Sequence, residues 1–187
     1  MSTQRVMQPV SQILDASFRS RMIAPLHWKA RAQNAHSSAK FLWEGRKAGM
    51  DQALWEGFQR EAAVALELII KAVVVARKQK ELKSKEVVKL SHDLPMLWAA
   101  ARLPALPSED KYRLAYFKSV LLWLGRYPTP KTVAAWQKDM EERAAAELKL
   151  QGSQKLQISP RIACGWPEFD SLYRQAFDKL CQILANE

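Results

Sequence analysis

Cysteine is scarce: Cys164 and Cys181 are the two in 187 residues. That excludes a disulfide framework and a thiolate metal cluster. Glycine is also sparse, at 6. No glycine-rich phosphate loop, His-Glu-x-x-His helix, Cys-x-x-Cys pair or Gly-x-Ser-x-Gly elbow is present. Histidine occurs 3 times, as His27, His36 and His92. No metal site and no cofactor is expected from this inventory. No segment alternates polar and apolar residues as a half-buried strand does, and no internal repeat is visible. The longest apolar run, 62–76, contains Glu67 and Lys71. As a helix it rises about 22 Å, short of the ~30 Å hydrocarbon core. Met1-Ser-Thr-Gln-Arg5 lacks the basic-then-apolar layout of a signal peptide. A cytoplasmic protein with no membrane segment is expected.

What is present is apolar, aromatic and basic. Hydrophobic residues make up 48%, which suffices for a core. Tryptophan, at 7, supplies large core anchors. The formal net charge of +10 favours an acidic partner such as nucleic acid or nucleotide.

The periodicities are helical throughout, so the fold class is all-α: an up-and-down bundle of about five main helices. Residues 1–22 are either a docking segment or a loose tail, and 23–187 form a single bundle domain. Trp28, Ala32, Ala35, Ala39 and Leu42 repeat at helical spacing from about residue 24 to Lys47. Their small side chains admit a close neighbour. Asp51 then caps a long helix with the stripe Leu54, Phe58, Ala62, Ala65, Ile69, Val73 and Ala76. Arg77, Lys78, Lys80, Lys83, Lys85 and Lys89 follow as a basic patch. They form a solvated connector or a phosphate-binding stripe. Ser91 or Asp93 caps the next helix, with Pro95 in its first turn. Another helix runs from Ser108 to the Gly125 stop, with Leu114, Phe117, Leu121 and Leu124 inward. A surface helix over 131–150 and a last helix from Pro167 complete the chain. The last helix turns Phe169, Leu172, Phe177, Leu180 and Leu184 inward.

Ala63-Val64-Ala65-Leu66-Glu67 through Lys71 to Arg77, followed by Ser91-His92-Asp93-Leu94, resembles the centre of the HEPN superfamily (higher eukaryotes and prokaryotes nucleotide-binding). The resemblance implies a HEPN-like bundle, a homodimer, and a link to nucleotide or RNA. Related companions serve nucleotidyltransferases or bacterial defence systems, which implies a partner protein. Ribonucleases of this family carry Arg-x4-6-His near a late helix. Here no histidine follows His92, so that motif is missing and a non-catalytic role is expected. Two early matches in spacing exist, Arg21/His27 and Arg31/His36. The second is the candidate catalytic pair if the chain is a metal-independent ribonuclease with a displaced site. A purely structural interaction module is the other alternative.

The candidate ligand-binding residues are Glu67, Lys71, His92, Arg126 and Tyr127. Glu67 and Lys71 are four apart in the favourable order, and either orient a ligand or form an ion pair. His92 either meets a phosphate at a helix start or bonds nearby backbone while Asp93 caps. Arg126-Tyr127, before Pro128-Thr129-Pro130, either stacks a base and holds a phosphate or serves the helix end.

Overall fold

The computed structural model describes residues 10–47, 52–82, 91–124, 132–134, 137–138, 140–141 and 164–185. These residues form six main α-helices and one π-helical turn, with no strand among them. In order they are α1 (Val10–Ile23), α2 (Pro25–Lys47), α3 (Gln52–Leu82), α4 (Leu94–Ala100), α5 (Ser108–Ser119) with its π-helical extension Val120–Leu124, and α6 (Trp166–Ala185). The all-α class therefore holds. Arg126, Tyr127, Lys83, Lys85, Lys89 and most of the 131–150 helix lie outside the described residues.

The bundle is built around α3. Its stripe is wider than a one-sided amphipathic pattern: from Ala62 to Ala76 almost every side chain is buried. A helix that is apolar all round is one that neighbours cover on all sides. Helices α2, α4, α5 and α6 supply that cover. The closest neighbour is α2, which turns the fully buried Ala32 and Ala39 and the nearly buried Ala35 towards the core. Alanines remove the side-chain bulk that would hold the two axes apart.

Aromatic rings fill the far end. Phe169 of α6 is fully buried. It meets Phe58 of α3 and Phe117 of α5, each at 6.1 Å between centroids, and Trp166 at 5.4 Å. Gly165 stands where Trp43 presses in: a Cβ there would lie 2.9 Å from its ring.

One boundary departs from expectation. Residues from Arg77 to Leu82 continue α3 rather than beginning a connector. The reason is local: Arg77 Nη1 lies 3.2 Å from Glu81 Oε1, an i,i+4 pair, and the Gln79 amide donates to the Ile23 carbonyl. Val10–Ile23 forms a regular helix, α1, in the region for which the sequence leaves a docking segment or a loose tail open. Helix α5 starts at Ser108 as expected, without a side-chain cap, and its acids Glu109 and Asp110 pair with Arg113, at 3.2 and 2.6 Å.

Candidate functional sites

Two polar constellations stand out. The first is centred on Glu67. Glu67 and Lys71 are each 6% exposed on the central helix, and the Lys71 ammonium donates to Glu67 Oε1. This is a buried ion pair, not the solvated one that the spacing alone permits. Taking both charges from water costs several kcal/mol, which the pair's geometry must recover. The same Oε1 receives His92 Nδ1 at 2.7 Å. His92 thus bonds across to α3 instead of to nearby backbone, with 55% of its side chain exposed. On the other side, Lys71 Nζ lies 5.8 Å from the Trp28 ring, whose indole N–H donates to the Met22 carbonyl at 3.0 Å. Glu67, Lys71 and His92 are therefore one cluster.

Asp93 holds the edge of this cluster. It is the N-cap of α4, accepting the Met96 N–H at 3.0 Å, with proline in the first turn. Its other oxygen pairs with Lys118 of α5 at 2.9 Å. Burial pushes the Asp93 carboxyl up, but Lys118 and the Met96 N–H outweigh it and hold the group below its ordinary value. One aspartate therefore starts α4 and ties it to α5.

The second constellation is a groove of about 280 Å³ between α2 and α6. His36 of α2 faces it, but its partner is not Arg31. Arg31 is exposed, and five residues turn a helix by about 140°, so the two side chains diverge. His36 Nε2 instead lies 2.8 Å from Asp170 Oδ1 of α6, and Arg174 Nε bonds Asp170 Oδ2 at 2.7 Å. Burial would raise the Asp170 carboxyl; Arg174 and His36 overcome this and keep it low. The imidazole stacks on Tyr173 at 4.2 Å between centroids, and Tyr173 stacks in turn on Phe177 at 6.0 Å. Lys29 Nζ sits 4.9 Å from the Phe177 ring. Gln33 and Asp178 complete the polar rim. The Tyr173 hydroxyl is buried without a hydrogen-bond partner among the described residues, and burial raises its pKa.

Comparison of the chain with family models, curated proteins and solved structures finds no match in any of the three. The sites must be judged on their chemistry alone.

Reading the sequence missed Asp170, Tyr173 and Arg174. Asp170 and Arg174 are an i,i+4 acid–base pair, a signal shared by many solvated helix faces. Nothing in the spacing joins them to His36, which lies 134 residues away. Of the basic patch, Arg77 is half-buried, with Nη2 3.4 Å from the Arg102 carbonyl. Lys78 and Lys80 are exposed. Arg102 adopts φ 48°, which brings its Nη1 to 3.0 Å from Glu81. Arg77 and Arg102 thus share Glu81 at this end of α3. Among the described residues no group of three or more His, Cys, Asp or Glu side chains is placed to hold a metal. Burial pushes the Cys164 thiol up to about 12, which keeps it protonated and a poor nucleophile.

Proposed function

We propose that the chain is a non-catalytic, HEPN-like helical domain that binds nucleotide or RNA in the α2–α6 groove. The observation that carries this reading is the stack of His36, Tyr173 and Phe177 beside the Arg174 guanidinium. Aromatic faces accept nucleobases of any sequence, and an exposed arginine offers a planar fork to phosphate. Asp178 and Gln33 supply hydrogen-bonding groups for a base edge or ribose hydroxyl. The net charge of +10 draws such a polyanion in. The Glu67 cluster is assigned a structural role in this reading, because its two charges satisfy each other below the surface. A partner protein, such as a nucleotidyltransferase, fits the same role of presenting a bound nucleotide.

Calorimetry with nucleoside triphosphates and a short single-stranded RNA at low salt tests the proposal. Binding by the wild type that falls at least tenfold in Arg174→Ala and in Phe177→Ala supports it. Absence of binding to every ligand overturns it.

One observation favours a second reading, a metal-independent ribonuclease. The Asp170 carboxylate holds His36 and Arg174 together, and an Nε2 that donates to it leaves Nδ1 as the ring nitrogen placed to act as a base. RNA cleavage by purified protein that His36→Ala abolishes supports that reading; cleavage at the full rate in His36→Ala removes His36 from it.

A further inference from the structure

Helix α1 is poorly accounted for by the fold around it. It has 14 residues, and the side chains from Leu14 to Arg21 are all exposed. Leu14 and Phe18, one turn apart, are 64% and 60% exposed. A helix of this length is marginal alone in water, so its apolar edge calls for cover. Arg21 lies on that same edge, three residues beyond Phe18. The C-terminal end of α1 is anchored through the bonds to the Met22 and Ile23 carbonyls.

A complementary surface exists elsewhere on the chain. A hollow of about 540 Å³ is lined by Ser37, Ser38, Phe41, Leu42 and Glu61, where α2 meets α3. Phe41 at its rim is 75% exposed. An arm with two apolar knobs and an arginine matches a hollow with an apolar floor and a glutamate. Phe41 lies about 25 Å along α2 from Ala24, and α1 is about 21 Å long.

We propose that α1 is an exchange arm, and that two copies of this chain dimerise by each placing Leu14 and Phe18 in the other's Phe41 hollow, with Arg21 facing Glu61. The arrangement is isologous, so one arm–hollow match is used twice and the assembly closes at two copies.

Sedimentation velocity on the full chain at tens of micromolar tests this. The wild type is expected to run as a dimer. Phe18→Asp and Phe41→Asp are each expected to weaken association at least a hundredfold and give monomers of unchanged helicity by circular dichroism. Both residues are exposed in the single chain, so neither change disturbs its core. Arg21→Glu and Glu61→Arg should each weaken the dimer, and their combination should restore it. A monomeric wild type overturns the proposal, because the arm is then covered within its own chain or by another macromolecule. A dimer that keeps its mass in both aspartate variants overturns it equally.

Discussion

Replacing Glu67 by leucine separates a structural ion pair from an ordinary surface one. In the native bundle the Lys71 ammonium, 6% exposed, has the Glu67 carboxylate and the Trp28 ring beside it. Glu67→Leu removes the carboxylate and leaves the cation in an apolar wall. An exposed i,i+4 pair is worth about 0.3–0.5 kcal/mol. Stranding one member of a buried pair costs about 3–5 kcal/mol. His92 adds to the loss, because its bond to the same Oε1 disappears. The double change Glu67→Leu/Lys71→Met removes both charges and conserves volume. Such replacements of buried pairs are neutral or stabilising by about 1–4 kcal/mol. The four proteins of this cycle should be unfolded in urea with tryptophan fluorescence as the probe, at a shared m-value. The expected pattern is a large loss in the single variant and recovery in the double. A Glu67→Leu loss below about 1 kcal/mol would refute the reasoning, since it would mean the pair is solvated.

Phe169→Ala should destabilise by about 3–5 kcal/mol, because the emptied site lies among Phe58, Phe117 and Trp166 and closes poorly; at roughly 2–4 °C per kcal/mol, calorimetry should show a fall in Tm near 10 °C. Asp93→Ala should cost about 1–2 kcal/mol through loss of the α4 cap and the Lys118 pair, and Asp93→Asn should recover the cap's share but not the charge pair with Lys118; urea midpoints decide it. The Asp93 and Asp170 carboxyls lie below their ordinary value of 3.8 in the folded chain. Their contribution is therefore complete above that value and is lost as pH falls through the lower folded values. Acid titration of stability should steepen there, and Arg174→Ala should flatten the Asp170 share; an unchanged profile in that variant would contradict the assignment.

The parts of the fold that were legible in the sequence are those whose signal is local. The alanines of α2 announced a close neighbour, the stripe of α3 announced a long helix, and Asp93 with Pro95 announced the start of α4. Local signals failed where two effects competed. From Arg77 onwards charge density reads as solvated chain, yet the Arg77–Glu81 pair and the Gln79 bond carry the helix to Leu82. The spacing of Glu67 and Lys71 showed that they face each other, but their burial depends on which helices surround α3. The groove was the least legible part. His36 finds Asp170 only after α2 and α6 pack, and nothing in the spacing of the last helix sets Tyr173 apart. The Arg31/His36 spacing pointed to a pair that helix geometry keeps apart.

The buried pair on α3 also changes the character of the segment that carries it before the bundle exists. On a ribosome-bound chain the stretch from Ala62 to Ala76 emerges as the most apolar segment of the protein, and two charged residues interrupt it. Each charge near the middle of an inserting helix opposes entry into a bilayer by about 2.5–3.5 kcal/mol. No helix among the described residues is long and apolar enough to cross a membrane. With leucine and methionine in those two places the run would carry no charge, and insertion into microsomes of a reporter bearing it should rise. Glu67 and Lys71 thus lower the apolar character of the run that the bundle must bury, and its length of about 22 Å keeps it short of the ~30 Å hydrocarbon core with or without them.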